Sequence, residues 1–482
     1  MTDPKSYAEN LFKVRGININ STSLFEEFVK NEEVTTAVQN IVDNQNHIME
    51  KWKIKTRVSD IISQQVILPN GTIGKSYSAK FDFEDLKLTD LIKKEFHGLR
   101  ELGLTFNSET NEIQGIPIKS GDLKIKFLFK TEMENGDTPL NEKDINLIVN
   151  PDPKTLWKNI PSDRDDPFWK EDNITAFARL GKKHIVAASK RGRSHQNVGS
   201  FRDDDFSFKH IEETGWSVVS VSDGAGSYSL ARLGSQIACH AIVDYFEENS
   251  NSDNFQELEQ KLKEFNKTKD EALLEETRNF SKQILYKATL HVHNTIKDHA
   301  GETIIRSPEL FNNPKAKTPL DYYHATLIFV LFKKFDFGYV IMSFGVGDCP
   351  IAIMNLEKTN TKMLNWLDVG EFGGGTRFIT QPDIFHSTER PMSTRFNFTI
   401  EPDFSYLFLM SDGIYDPKFV VEANLEKHEK WIEFLDDLGG KNEEDLCVKL
   451  NSENKEIEQQ LSRWMDFWNP GNHDDRTLAI IF

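Results

Sequence analysis

The chain has 482 residues, enough for two to four domains, and its 38% hydrophobic content with 35 Phe can build large cores. Acidic residues outnumber basic ones by 76 to 58, so the net charge of −18 argues against a nucleic acid as partner. The sequence has no membrane-length apolar run, no secretion signal and only three well-separated cysteines, so we predict a cytoplasmic protein with reduced thiols and no membrane partner.

Residues 1–60 are predicted to form a helical segment. Leu24, Phe25, Phe28 and Val29 recur at helical spacing, and the serines and threonine at 21–23 are suitable caps. The segment is either a pair of docking helices or an ordinary helical extension that packs on its neighbour. We favour the second interpretation.

Residues 61–150 are predicted to form a small β-sandwich. Four short β-like runs are separated by turn signals, and they lie at Gln65 to Leu68, Ser76 to Phe83, Leu123 to Phe129 and Ile145 to Val149. The stretch 102–129 resembles bacterial immunoglobulin-like domains at Gly103, Leu104, Thr105, Thr110, Ile113, Gly115, Pro117 and Gly121. Asn111 replaces the usual glycine and also tolerates a positive φ. The resemblance implies a module that binds a partner or acts as a spacer between domains.

Residues 151–175 are predicted to be a linker or a strap, because four prolines lie among many charges. Trp157, Phe168 and Trp169 indicate that this strap docks on a domain surface. Residues 176–482 alternate strand-like and helix-like blocks and are expected to form the main domain.

Aspartates flank four apolar runs of this main domain. Asp223, Asp348 and Asp412 follow strand-like runs, and Asp474 with Asp475 precedes the last one. A single Asp-Gly pair is usually a turn, but carboxylates at several strand ends of one domain can converge on a hard cation. Without a cation such carboxylates would repel one another.

Six motifs in this region resemble, in order, those of the bacterial metal-dependent type 2C (PPM) protein serine/threonine phosphatases. The first runs from Gly192 through Ser194, His195, Gly199, Asp203 and Asp204 to Phe206. The others are Asp223-Gly224-Ala225-Gly226-Ser227, His324-Ala325-Thr326, Gly347-Asp348-Cys349, Ser411-Asp412-Gly413-Ile414-Tyr415-Asp416 and Asp474-Asp475-Arg476-Thr477.

The resemblance implies an α+β, four-layer α-β-β-α sandwich of two antiparallel sheets with helices outside. It implies two Mn²⁺ or Mg²⁺ ions, with Asp223 bridging them and the Gly224 carbonyl completing one site. Asp412 and Asp474 would ligate the other ion, with Asp204 near the pair. Asp348 and Asp416 would offer a third, weaker site. Asp204 is preferred to Asp203 and Asp205 because Phe206 falls two positions later, as in the family pattern. Asp474 is preferred to Asp475 because Thr477 falls three positions later.

A phosphate-binding arginine lies near the first acidic motif in many relatives. Arg193 is our first candidate, ahead of Arg191 and Arg202, with His195 beside it. His195 could equally be a structural residue that bonds the loop. No cysteine lies in a phosphate-cradling Cys-x5-Arg loop, so no covalent nucleophile is indicated.

Two further features bear on function. Ala225 stands where some relatives have a histidine proposed to protonate the leaving group. The stretch 367–380, with Gly373, Gly374 and Gly375, is either a flap that selects substrate or a plain hairpin loop.

The resemblance implies a protein phosphatase acting on phosphoserine and phosphothreonine, with a role in signalling. The alternative is a non-catalytic, metal-binding pseudophosphatase scaffold that acts through its N-terminal module. The resemblance also implies a phosphorylated protein substrate and, in bacterial gene clusters, a cognate protein kinase and a von Willebrand-type protein as partners.

Overall fold

The computed structural model describes residues 3–368, 375–388 and 390–482, and the chain divides into two units, Met1–Leu156 and Trp157–Phe482. Each unit has a core of its own. No helix of the described residues is long and apolar enough to cross a membrane.

The first unit begins with three helices, α1 (Pro4–Val14), α2 (Thr22–Lys30) and α3 (Glu32–Ser63). Each starts at a side chain that accepts a backbone N–H of the first turn: Asp3, Ser21 and Asn31. A small core of Ala8, Phe25 and Val29 joins α1 and α2.

Two sheets follow in the first unit. The strands are β1 (Gly71–Thr72), β2 (Tyr77–Lys80), β3 (Leu91–His97), β4 (Leu104–Asn107), β5 (Glu112–Gly115), β6 (Gly121–Thr131) and β7 (Asn141–Asn150). One sheet has the order β1-β7-β6-β3 and the other β2-β5-β4. Phe81, Phe127 and Leu147 lie in their core, which also takes in Val58 and Ile61 of α3.

The predicted strand at Gln65 to Leu68 is absent, although Leu68 is buried in this core. Asn111 has a φ of 55°, the left-handed conformation that asparagine tolerates.

Lys143 joins helix α3 to the sheet of β7. Its buried Nζ donates to the carbonyl oxygens of Ile61 at 2.9 Å and Ile62 at 2.8 Å, and to that of Gln64. These carbonyls lie at the C-terminal end of α3, where the last carbonyl groups of a helix have no N–H donor within the helix. The lysine therefore caps a 32-residue helix from the adjoining strand.

The second unit contains two antiparallel sheets. The strands are β8 (Asn173–Leu180), β9 (Lys183–Lys190), β10 (Asp205–Ile211), β11 (Trp216–Ser222), β12 (Leu327–Phe335), β13 (Gly338–Val346), β14 (Ile351–Asn355), β15 (Thr361–Met363), β16 (Phe396–Glu401), β17 (Phe404–Met410) and β18 (Arg476–Ile481). The five-stranded sheet has the order β10-β11-β12-β13-β16, and the six-stranded sheet β15-β14-β17-β18-β9-β8.

In the described part of this unit, seven α-helices accompany these sheets: α4 (Arg193–Val198), α5 (Ala231–Asn249), α6 (Asp253–Thr268), α7 (Glu271–Arg306), α8 (Asp412–Phe419), α9 (His428–Leu438) and α10 (Ile457–Trp464). Helices α5 to α7 share a core with one face of the five-stranded sheet, and α8 to α10 share another with the six-stranded sheet. A third core joins residues of both sheets.

This layering explains the continuous apolar runs in the sequence. In β11, Val218 belongs to the helix-side core while Val219 belongs to the core shared by the sheets. In β18, Ile480 and Ile481 divide in the same way between the helix-side core and the shared core. Alternate side chains of a strand point to opposite faces, so a strand with both faces covered is apolar throughout.

Of the predicted strap, 151–175, residues 157–172 lie in the second unit ahead of β8, and Lys170 holds them. The buried Nζ of Lys170 donates to the carbonyl oxygens of Asp204 at 2.8 Å and Arg232 at 3.0 Å, and pairs with Asp205 Oδ2 at 3.1 Å. The strap is thereby fixed to the beginning of β10.

Candidate functional site

The strand register brings the predicted carboxylates to one end of the two sheets. Asp204 directly precedes β10, whose first residue pairs with Ser222, and Asp223 follows Ser222 directly. Asp412 and Asp474 lie just beyond the paired ends of β17 and β18, where Met410 faces Leu478. These pairings put carboxylates from separate motifs side by side.

The charges that act most strongly on these groups are themselves acidic. Burial raises the pKa of Asp223 well above its usual value, and the charges of Asp204 and Asp412 raise it further. Burial raises the pKa of Asp412 likewise, followed by the charges of Asp474, Asp348 and Asp204. Carboxylates this close need a cation or protons to coexist. The set of oxygen donors suits a hard divalent cation.

Asp204 is deeply buried, at 1% exposure. Its Oδ2 accepts a hydrogen bond from Thr477 Oγ1 at 2.8 Å, and burial raises its pKa to about 7. Of the neighbouring acids, Asp205 pairs with Lys170 and Asp203 lies beside His195. Asp204 is thus the residue of this acidic run that accepts from Thr477 and whose charge acts on Asp223 and Asp412.

Asp348 carries an unsatisfied oxygen. Its Oδ2 accepts from Thr376 Oγ1 at 2.7 Å, whereas its buried Oδ1 has no hydrogen-bond partner among the described residues. Ligand atoms of Asp223, Asp348 and Cys349 all lie within 4.8 Å of one another. Partial burial raises the pKa of Asp416, whose side chain is otherwise exposed, and the negative charge of Asp348 raises it further. The orphaned oxygen of Asp348 fits a cation at this place.

The last two acids have different environments. Asp475 is buried and accepts from the backbone N–H groups of Gly192 and Asp203, each at 2.5 Å, and its Oδ1 lies 3.0 Å from His195 Nδ1. Asp474 is exposed, and its Oδ1 accepts from the Asp475 backbone at 2.8 Å. The Asp475 carboxylate is therefore already hydrogen-bonded within the protein, whereas Asp474 lies on the solvent-exposed side of the site.

Two motif glycines lie where chain segments cross. A Cβ on Gly224 would lie 2.7 Å from the carbonyl oxygen of Asp203, and one on Gly413 would lie 1.9 Å from that of Asp475. Such distances are far below van der Waals contact, so both aspartate-glycine pairs require glycine for packing. Gly224 also forms a β-bridge with Ala325 in the third motif.

The predicted phosphate-binding residues have partners of their own. Arg193 Nη2 donates to the Asp466 carbonyl oxygen at 2.6 Å, and its guanidinium lies 5.4 Å from the Trp468 ring centre. Burial lowers the pKa of His195, but its hydrogen bond to Asp475 and the charges of Asp475, Asp203 and Asp474 together raise the pKa to about 9. Arg191 pairs with Asp172 at 3.1 Å, and Arg202 is buried against backbone carbonyls.

The predicted flap lies partly outside the described residues, which omit 369–374 and with them Gly373 and Gly374. Of the remainder, Thr376 contacts Asp348. The supporting roles of Lys170 and Asp475 were not predicted. Lys170 stands in a proline-rich strap without a motif, whereas Asp475 was recognisable only as the neighbour of Asp474.

The family model "Protein phosphatase 2C" matches residues 191–465. No curated protein sequence matches the chain. Among solved structures, the chain is similar to the S. agalactiae serine/threonine phosphatase (12% identity, TM-score 0.35, covering 62% of this chain and 99% of that one). It is also similar to Stp1 from Staphylococcus aureus (16%, 0.33, covering 62% and 93%). A third similar structure is the catalytic domain of PstP in complex with two manganese ions (13%, 0.35, covering 64% and 98%).

The matched model covers more than half of the chain and includes five of the six motifs whole, while the sixth, at 474–477, lies beyond its end. The resemblance read from those motifs is therefore confirmed, and the chain belongs to the protein phosphatase 2C family.

Proposed function

We propose that the protein hydrolyses phosphoserine and phosphothreonine in phosphoproteins, using water activated between two Mn²⁺ or Mg²⁺ ions. The observation that carries this proposal is the convergence of Asp204, Asp223 and Asp412, whose strongest charged neighbours are other carboxylates. We further propose the α-β-β-α sandwich for residues 176–482 and an immunoglobulin-like domain for residues 61–150.

For the ligands we propose the assignment that the resemblance to the family implies. Asp223 would bridge the two ions, the Gly224 carbonyl would complete one site, and Asp412 and Asp474 would ligate the other, with Asp204 close by. Asp348 and Asp416 would hold a third, weaker ion, which is supported by the unpartnered Oδ1 of Asp348. Bound Mn²⁺ or Mg²⁺ would supply a water of lowered pKa and offset the negative charge of a phosphoester.

The chain's own part is to hold and orient these ligands. Thr477 fixes one oxygen of Asp204 at 2.8 Å, and Thr326 Oγ1 accepts the backbone N–H of Asp223 at 2.8 Å. Arg193 and His195 remain the candidates for the substrate phosphate. Arg193 would have to release the Asp466 carbonyl to reach it.

The test is hydrolysis of p-nitrophenyl phosphate and a phosphothreonine peptide with Mn²⁺ or Mg²⁺. We expect turnover by the wild type and loss of at least a hundredfold in Asp223→Asn and Asp412→Asn. Asp253→Asn, at an exposed aspartate that starts α6, is the matched control and should retain full activity. A wild type that binds metal without turnover would contradict the proposal and support the pseudophosphatase scaffold. The kinase and von Willebrand-type partners stay predictions of the resemblance.

A further inference from the structure

A cavity of about 180 Å³ lies beside the loop that carries Asp348. Its wall includes Asn365, whose Nδ2 donates to the Cys349 carbonyl oxygen at 2.8 Å and whose Oδ1 accepts from Ile351 N at 2.7 Å. At about 30 Å³ per water, the space equals roughly six water molecules. The cavity is therefore large enough for one side chain. Through Asn365, its wall is hydrogen-bonded to the segment that follows Asp348.

The lining combines an aromatic face with acidic groups. Trp366 lines the cavity and is 72% exposed, although large apolar side chains are normally covered. Glu422 and Glu426 contribute exposed carboxylates, and Leu425 a buried apolar side chain. An indole face binds cations through its quadrupole, and carboxylates bind them by charge. A side chain with an aliphatic stem and a cationic head matches both features.

The arginines nearby are already paired. Arg395 lines the cavity, and both it and Arg390 bond to the buried Asp368. Asp368, Glu422 and Glu426 together outnumber the two guanidinium groups. Burial raises the pKa of Glu422 and the charge of Arg390 lowers it, while the charges of Glu426 and Asp348 act in the same direction as burial. Glu422 therefore lies within electrostatic range of the proposed metal centre.

We propose that this cavity, formed by Trp366, Glu422 and Glu426, binds a lysine or arginine side chain that flanks the phosphorylated residue of the substrate. The inference rests on the proposed function and adds a substrate class, phosphoproteins with basic flanking residues. The net charge of −18 would favour the approach of such a segment.

The test compares two phosphothreonine peptides that differ only in flanking residues, arginine in one and glutamine in the other. We expect about a fivefold higher kcat/KM for the arginine peptide, the size of one exposed cation contact. Glu422→Gln/Glu426→Gln and Trp366→Ala should abolish the preference without changing p-nitrophenyl phosphate turnover. Glu422→Lys/Glu426→Lys should reverse it. Glu357→Gln, at an exposed glutamate lining a different pocket, should leave it intact.

Equal kcat/KM for the two peptides, with p-nitrophenyl phosphate turned over normally, would overturn the inference and leave the proposed function standing. If no phosphate ester were turned over, the proposed function would fail. The cavity would still be tested by equilibrium binding of the same peptides to the full chain. Tighter binding of the arginine peptide, weakened in Trp366→Ala, would support it, whereas equal binding would overturn it.

Discussion

The carboxylate of Asp475 accepts the backbone N–H of Asp203 at 2.5 Å, across 272 residues of sequence. Each of the two residues adjoins a proposed metal-site acid, since Asp204 follows Asp203 and Asp474 precedes Asp475. One hydrogen bond thus sets the relative position of the first and last acidic motifs. Asp475 also holds Gly192 and His195, so three residues of the segment 192–203 depend on it.

Removal of the Asp475 carboxylate should therefore destabilise the second unit. Asp475→Ala leaves two buried backbone N–H groups and His195 without their acceptor, and we expect a loss of about 3 kcal/mol in the free energy of unfolding. Urea denaturation of the full chain measures it. Asp474→Ala, at the exposed neighbour, is the control and should cost less than about 0.5 kcal/mol. Equal effects of the two variants would contradict the positioning role of Asp475.

Lys170 gives a second stability prediction. Lys170→Met leaves the Asp205 carboxylate, which is 2% exposed, without its lysine partner, so we expect a loss of about 3 kcal/mol. Lys182→Met, at an exposed lysine in the turn between β8 and β9, should have no measurable effect. Thermal unfolding monitored by circular dichroism would detect the difference. An unchanged midpoint in Lys170→Met would show that the strap is not anchored there.

Metal binding should stabilise the fold by mass action. A saturating cation relieves the repulsion among Asp204, Asp223 and Asp412, and at one hundred times its dissociation constant it adds about 2.7 kcal/mol. We expect Mn²⁺ to raise the unfolding temperature, EDTA to reverse the rise, and Asp223→Asn to abolish it. If Asp223→Asn showed the wild-type shift, Mn²⁺ would be binding elsewhere.

The first unit offers a pH prediction away from the acidic cluster. Arg57 donates to both oxygens of Asp90, at 2.8 and 2.6 Å, and this hydrogen bonding holds the pKa of Asp90 below its usual value of 3.8. Because the folded pKa is depressed, the stabilisation is fully present above pH 3.8 and is lost as the pH falls through the folded pKa. Asp90→Asn should therefore be less stable than the wild type at pH 7, and the difference should shrink as the pH falls below 3.8. A stability difference that is constant from pH 7 to pH 2 would contradict the ion pair.

The sequence allowed the acidic motifs to be predicted because each aspartate adjoins an apolar strand, and strand ends of one sheet meet at an edge. It did not allow the roles of Lys143 and Lys170 to be predicted, since their contacts join segments far apart in the chain and produce no periodic sequence pattern. Strand β3, Leu91–His97, was missed because its largely exposed sequence lacks apolar alternation. Nor does the sequence indicate where α6 ends and α7 begins, because the two helices are separated at Lys269, whose φ of 56° no propensity indicates in a lysine.

The most direct test of the central claim follows Mn²⁺ binding and peptide dephosphorylation in one titration of the full chain. Electron paramagnetic resonance would count bound Mn²⁺ while phosphate release from a phosphothreonine peptide is measured. We predict that turnover rises as two tight sites fill, with a third site filling at higher concentration, and that Asp412→Asn loses both signals together. Phosphate release that proceeds without bound Mn²⁺ or Mg²⁺, or binding that is unaffected by Asp412→Asn, would contradict the account.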